Sequence, residues 1–498
     1  MNFLKSLRVI ALVFFGMISF GAVCVGPALR AQPMLAPSAP DWSRSLVVIE
    51  ATYKLFDAFQ PWNDPTRTIR KHGFVVSADE ILTTAQYLPT HTLVRVQKGG
   101  RGRWYDGRVK WWDAQSNLAL VTVAAPEFWT GLAPAALAET ATRGAGYEIV
   151  RWRDGNLENR RAEFGKFTVS EGMLGFAPHV HLELSSDLSG LGWAELATHN
   201  GRVAGITTYS GTRTCGVTPA GFIRRVLAAY RSGNYTGLGV LDFTWQPGGN
   251  PELLKALGLE GAPRGAVVHE PGRESDPAKA PQARDILLEI DGFAIDSEGD
   301  YLDPDYGHLL LENLANRAHF AGDTIKIRLR RGAEELTVDY VIPPARFEDE
   351  LVPRERFDGP APYVVAGGLV FQPLNQPFLR GWGDDWRKFA PFRLQYYQYA
   401  PASDKRDRLV VLSGVLPDEI NLGYQNAGML VVDKVNGRVV ATLADLQAAL
   451  AEPSEGGVHL IEFMRGRNLQ RMILDAATLE AATKRVVEHY GIPAAVRL

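Results

Sequence analysis

Cysteine is nearly absent: two residues, Cys24 and Cys215, in 498. That excludes a disulfide-built scaffold and any cysteine-based zinc site. An excess of one charge is also missing. Lys plus Arg number 53 against 56 acidic residues, a formal net charge of -3, which removes the bulk electrostatic case for binding nucleic acid. Beyond the N-terminus, no uncharged run approaches the length of a membrane span. With 46% hydrophobic and 22% charged residues, the composition excludes wholesale disorder. At roughly 100–200 residues per domain the length implies about three domains.

What is present begins with Lys5 and Arg8, followed by an uncharged stretch from Val9 to Val25 and the small-residue segment Gly26-Pro27-Ala28-Leu29-Arg30-Ala31. A basic start, an apolar run and small residues form the pattern of a secretory signal. It predicts export to the periplasm or beyond with residues 1–31 removed, then a linker over 32–44; the alternative is an uncleaved anchor through 9–25. Gly21-Ala22-Val23-Cys24 is a poor lipidation box. Loss of 1–31 leaves Cys215 without an intrachain partner, so a structural role is expected for it.

From 45 to 232 the chain reads as short β-branched or alternating segments, among them Leu46–Ala51, Gly73–Ser77, Leu93–Val96, Leu118–Val123 and Val180–Leu184, closed by an amphipathic helix from Ala220. Many short strands at modest spacing predict a barrel or sandwich. A second block, 233–345, carries the strand and turn Ile286–Gly292, a helix expected around His308 to His319, and the strand Thr324–Leu329 ending at Arg331-Gly332. After a linker over 346–362, a third block, 363–498, repeats that order: Leu430–Gly437, the helix Leu443–Leu450, the strand Leu460–Met464 and Arg465-Gly466. The two copies make an internal repeat.

These residues resemble the HtrA/Deg serine proteases. The family's Leu-Thr-x-Ala-His segment has its counterpart in Leu82-Thr83-Thr84-Ala85, with Gln86 where the histidine stands. Its Asp-Leu-Ala strand start corresponds to Asn117-Leu118-Ala119, and its Gly-Asn-Ser-Gly to Gly190-Leu191-Gly192-Trp193, placed by the downstream Gly201-Arg202-Val203-Ala204-Gly205-Ile206. The third block, with Gly368–Leu374, Asp418–Tyr424 and Gly491–Ala495, is similar to the plant-type Deg branch. The resemblance implies a mainly β fold: a chymotrypsin-like double β-barrel followed by two α+β PDZ-like domains.

It also implies a barrel without its triad. A glutamine amide cannot serve as a base near neutral pH, glycine offers no hydroxyl, and asparagine lacks the charge that steadies an imidazolium. The rival is an active serine endopeptidase with a site rebuilt from Ser189, His181 and Asp187. Against it, Ser/Asp clusters at strand ends are usually turn formers. His179 and His181 have no third ligand at zinc spacing, so no metal and no cofactor is expected. The aromatics Trp104, Tyr105, Trp111 and Trp112 read as strand-face packing.

PDZ domains capture extended peptides at a sheet edge and hold the terminal carboxylate on loop amides. Gly237-Leu238-Gly239-Val240 is expected to be that loop, with Leu309 and Leu310 on the facing helix as pocket wall. The insertion from Gln372 to about Arg408, rich in Trp, Phe and Tyr, suits an interface. By resemblance it is an assembly element for a homo-oligomer, trimer-based in the family. The expected protein is a pseudoprotease that binds peptides or unfolded chains as scaffold, chaperone-like factor or regulator; the third alternative is a regulatory subunit that co-assembles with an active Deg paralogue.

Overall fold

The computed structural model describes residues 40–498 apart from 171–176, 187–191, 212, 275, 347–349, 355–359, 384, 404–405 and 467–468. Asp41–Leu498 forms one compact unit; of the other, Met1–Pro40, only Pro40 is described. The export signal expected over residues 1–31 therefore lies outside the described residues.

The first six strands are β1 (Leu46–Lys54), β2 (Thr66–Val75), β3 (Ile81–Thr83), β4 (His91–Lys98), β5 (Trp104–Asp113) and β6 (Leu118–Val123). They close in the order β1-β2-β3-β6-β5-β4. Val47, Ile49, Ala51, Val75, Val94, Val96, Ala119 and Val121 point into one core, the inward half of each strand's two-residue period. Strands β7 (Gly146–Arg153), β8 (Asn156–Ser170), β9 (His179–Ser185), β10 (Leu196–His199), β11 (Arg202–Ser210) and β12 (Thr214–Pro219) close likewise as β10-β11-β12-β9-β8-β7. Closure removes the unpaired edges that an open sheet would expose. A core of Leu46, Phe74, Leu82, Leu118, Val150, Leu196 and Ile206 joins the barrels, and the Ala220–Ser232 helix packs Phe222, Ile223, Val226 and Leu227 on it.

The aromatic run of β5 does divide by face. Tyr105 packs edge-on against Phe128, and Trp111 edge-on against Tyr235 and tilted on Tyr230. Trp104 receives Arg70 and Arg95, and Trp112 is partly exposed.

The second block is a sheet in the order Thr244–Pro247, Ala266–Glu270, Ile286–Ile290, Thr324–Arg331, Glu334–Val341, with a separate hairpin of Asp300–Asp303 and Gly307–Leu310. Here the sequence expectation needs correction. His308, Leu309 and Leu310 are in a strand, not a helix; within 308–319 only Leu314–Arg317 is α-helical. Alternation at 307–310, buried-exposed-buried-exposed, imposes a two-residue period that the leucine run disguised. In the third block the sheet runs Arg471–Asp475, Val458–Phe463, Leu430–Val435, Val410–Val415, Leu369–Pro373, Tyr363–Ala366, Val496–Arg497, with the Leu443–Leu450 helix started by a Thr442/Asp445 capping box. In both blocks the strand before the Asp-Gly or Asn-Gly turn pairs with the next long strand, and that with the following one.

The aromatic insertion folds into short helices, Gln376–Leu379, Trp386–Phe389 and Phe392–Gln395. Phe378, Leu379, Trp386 and Leu394 form a core that also takes Ala58 from the first barrel. The third block is tied to that barrel by Gln372 Nε2 donating to the Ala58 carbonyl at 2.9 Å and by Arg497 Nη1 at 3.2 Å from Asp64.

Candidate functional site

The two barrels meet where a serine protease keeps its triad. Strand β3 runs alongside β6 with Thr83 opposite Ala119, so the residues just beyond each strand converge. The Gln86 N–H donates to Asn117 Oδ1 at 3.1 Å, and the Ala85 N–H to the Asn117 carbonyl at 3.1 Å. Asn117 has φ +52°, a left-handed conformation that asparagine tolerates better than most residues. Both side chains are buried, and Gln86 Oε1 and Asn117 Nδ2 have no hydrogen-bond partner. The Asn117 side chain thus holds the Gln86 backbone, with no imidazole beside it to orient.

Beneath them lies a residue that the sequence reading missed. Lys71 on β2 is fully buried, and its Nζ donates to the carbonyls of Thr84 at 2.5 Å and Gln86 at 2.8 Å. Burial pushes its ammonium well below the usual lysine range. The group fixes the 84–86 turn from inside and has no access to substrate. Nothing in the local sequence announces it beyond a lysine in an otherwise inward strand position.

The third position approaches from the second barrel. The His72 N–H donates to the Trp193 carbonyl at 2.9 Å. The Trp193 ring meets Tyr87 edge-on at 6.3 Å, and Tyr87 stacks on Tyr53 at 4.7 Å. Gly192 therefore lies one residue from an aromatic contact with the neighbour of Gln86. Its own N–H is taken: Glu195 Oε1 accepts it at 2.7 Å. Glu195 is 2% exposed, its other neighbour is Arg151 Nη1 at 3.5 Å, and burial raises its carboxyl pKa. In this fold the N–H of the nucleophile residue is one of two donors that stabilise the oxyanion. At Gly192, which the sequence resemblance sets at that position, the N–H is taken by a side-chain carboxylate. A Glu three residues after the glycine was the signal available in the sequence.

Of the rebuilt set, Ser189 and Asp187 lie outside the described residues. His181 is buried with neither ring nitrogen hydrogen-bonded, against His179 at 4.3 Å between ring centroids. His179 in turn stacks on Phe222 at 4.5 Å and faces the Ala177 carbonyl through Nδ1 at 2.9 Å. Desolvation holds His179 down to about 4 and His181 well below the ordinary histidine value. Both belong to the interior of the second barrel. Cys215 is also buried, with its thiol pushed up to about 12 by desolvation, so it is not a nucleophile at neutral pH.

The expected carboxylate loop is closed in this structure. Gly237 has φ +93°, as a tight turn requires. The Leu238 N–H, however, donates to Gln115 Oε1 at 2.9 Å, and the Gly239 N–H to Asn316 Oδ1 at 2.9 Å. Val240 N–H bonds the Pro343 carbonyl at 3.0 Å. The Leu238 side chain is not a pocket wall; it is fully buried in the core that joins the barrels. Leu309 is buried and Leu310 is 39% exposed on a strand. The sequence reading expected a carboxylate loop at 237–240 and did not foresee that a barrel side chain, Gln115, would bond the Leu238 N–H.

Comparison with known proteins follows the same lines. A family model described as PDZ domain matches residues 352–496. Protease Do-like 2, chloroplastic, of Arabidopsis thaliana is 23% identical over 466 residues, covering 90% of this chain and 74% of that one. Protease Do-like 4, mitochondrial, of the same plant is 25% identical over 471 residues, covering 91% and 84%. Among solved structures, the HtrA-type protease AlgW with decapeptide superposes with a TM-score of 0.45 at 14% identity, over 60% of this chain and 95% of that one. Two closed six-stranded barrels, a PDZ-domain match over residues 352–496 and similarity to the Do-like proteases along nine-tenths of its length make the chain similar to the HtrA/Deg proteases.

Proposed function

We propose that this chain is a proteolytically silent member of its family, exported by residues 1–31, that binds apolar or non-native polypeptide as a scaffold or regulator. One observation carries the reading: the position aligned with the nucleophile is Gly192, and its N–H is held by the Glu195 carboxylate at 2.7 Å. Gln86 in place of the base and Asn117 in place of the acid point the same way. Loss of nucleophile or base alone costs about 10⁶ in turnover in a serine protease.

The test uses the mature chain, residues 32–498, with casein and a fluorophosphonate probe. Neither cleavage nor labelling is expected. Labelling that disappears in Ser189→Ala would overturn the reading and install the rebuilt site.

One feature favours a further role in assembly, as a homo-oligomer or beside an active paralogue. Phe389, Phe392, Tyr396 and Tyr399 of the insertion are 65%, 79%, 58% and 82% exposed. Aromatic residues are enriched at protein interfaces. Light scattering of the purified chain, and co-purification with a protease from the source cell, distinguish the two forms of assembly.

A further inference from the structure

Away from the triad positions, the second barrel meets the second block at a cavity of about 260 Å³. Val180 of β9 and Gly221, Phe222 and Arg225 of the Ala220–Ser232 helix line one side; Tyr306, Asn313 and Arg317 line the other. The two sides are fixed to each other. Asn316 Nδ2 donates to the Pro178 carbonyl at 2.9 Å, and Arg225 Nη1 to the His319 carbonyl at 2.9 Å. The cavity is therefore formed in advance of any ligand, as binding sites usually are.

Three groups on its lining have hydrogen-bonding capacity to spare. Arg317 donates through Nε to Asp303 Oδ2 at 2.7 Å, and its Nη1 and Nη2 have no partner among the described residues. The Tyr306 hydroxyl has none either, and burial pushes it up to about 12, so it keeps its proton at neutral pH. Gly221 leaves the space beside that hydroxyl open; a Cβ there would stand 3.3 Å from it. Asn313 is 1% exposed. Its Nδ2 donates to the Tyr301 hydroxyl at 2.6 Å, while its Oδ1 is buried without a partner. A buried acceptor in that state calls for a donor.

The charges on the lining are of both signs. Arg225 has no ion-pair partner among the described residues; its Nη groups donate to the His319 and Asn316 carbonyls, and its guanidinium lies over Phe222 and Phe320 at 5.4 and 4.5 Å. Glu139 and Asp305 also line the cavity, and both are exposed. A simple anion would suit Arg225 and Arg317 but leave the Asn313 oxygen unpaired and face two carboxylates. A simple cation would face two guanidinium groups. A zwitterion satisfies both sets.

We propose that this cavity binds a free apolar α-amino acid: its carboxylate on the Tyr306 hydroxyl and the guanidinium groups of Arg317 and Arg225, its ammonium on Asn313 Oδ1, and its side chain against Phe222 and Val180. Carboxylate–guanidinium bonds are charge-assisted and strong, and Glu139 and Asp305 add attraction for the ammonium. The volume is ample for one amino acid and falls below the range of about 300–1,000 Å³ typical of drug-sized ligands. The site is separate from peptide binding and does not depend on it.

Isothermal titration of the mature chain with L-leucine and L-valine at neutral pH tests it. N-acetyl-L-leucine lacks the ammonium, L-leucinamide lacks the carboxylate, and inorganic phosphate probes for a plain anion site. Leucine or valine is expected to bind, and each blocked analogue at least about tenfold more weakly. Tyr306→Phe removes a hydroxyl that no described group of the protein uses, so the urea midpoint should hold while amino-acid affinity falls about tenfold, as for loss of one hydrogen bond to a charged group. Thr140→Trp, at an exposed position on the lining, should abolish binding. The proposal is overturned if neither amino acid binds, if the blocked analogues bind as well as leucine, or if Tyr306→Phe binds as wild type does. Phosphate bound as tightly as leucine would make the cavity an anion site and overturn it equally.

Discussion

The carboxylate of Glu195 and the backbone nitrogen of Gly192 are 2.7 Å apart, and the ideal position of a Cβ on Gly192 is 3.0 Å from the same Oε1. The glycine and the glutamate are therefore in contact: a Cβ at 192 presses on Oε1, and a shift of a few tenths of an ångström relieves it without releasing the N–H. A hydroxyl restored at 192 then still meets an N–H held by the Glu195 carboxylate.

This gives the first prediction. Restoring the side chains alone, as Gln86→His, Asn117→Asp and Gly192→Ser together, leaves the protein without measurable casein cleavage. Adding Glu195→Ala to that triple variant raises turnover by about 10²–10³, the usual worth of one oxyanion donor. Initial rates on a fluorogenic peptide measure both. A triple variant as active as the quadruple one would show that Glu195 does not obstruct the site.

Lys71 makes a prediction about stability. Its Nζ joins two carbonyls of the turn that carries Gln86. Lys71→Ala leaves those acceptors unpaired inside the barrel and opens a cavity, a loss of about 3 kcal/mol by urea denaturation. Lys71→Met restores the packing of the stem but not the bonds, and recovers only part of the loss. Full recovery by methionine would mean that the bonds contribute nothing.

Burial of histidines predicts an acid limb. Desolvation holds His72 and His179 at about 4 against an ordinary 6.5. Between those values the unfolded chain binds protons that the folded chain does not, so stability rises with pH across the window and is lost as pH falls from 6.5 to 4. Each histidine contributes up to about 3 kcal/mol to that loss. The urea midpoint should fall steadily over this range, and His179→Phe, which keeps a ring against Phe222, should flatten the slope. An unchanged slope would place the acid sensitivity elsewhere.

Much of the barrel was legible because its determinants are local. Alternating strands such as Leu118–Val123 and the Leu82–Ala85 segment fix the framework, and the positions of Gln86 and Asn117 follow from residues directly beside them. The hairpin at Gly307–Leu310 was misread because three consecutive leucines carry no period of their own; only pairing with Asp300–Asp303 decides their faces. Lys71, Glu195 and Gln115 were invisible for a different reason. Lys71 and Gln115 act on backbone groups brought close by tertiary packing, Gln115 on an N–H 123 residues away, and such bonds leave no pattern in composition or spacing; Glu195 acts on an N–H only three residues away, a spacing too common to single out.

The last prediction concerns assembly. Removing the third block is a poor test, because its core takes in Ala58 and its sheet holds Asp64 through Arg497; truncation would strip apolar cover from the first barrel and confuse dissociation with misfolding. Surface substitution avoids this. Phe392 and Tyr399 are 79% and 82% exposed, so replacing both by Glu removes apolar area that is in water in the isolated chain and should leave its stability within about 0.5 kcal/mol. At an interface core, where charged residues are depleted, the same pair of charges would be desolvated without partners. Light scattering should therefore show the mature wild-type chain as an oligomer and the Phe392→Glu/Tyr399→Glu variant as a smaller particle, with the same urea midpoint at low concentration. An oligomer of unchanged size in the double variant would place the assembly contacts outside the insertion and return these aromatics to the role of exposed loop residues.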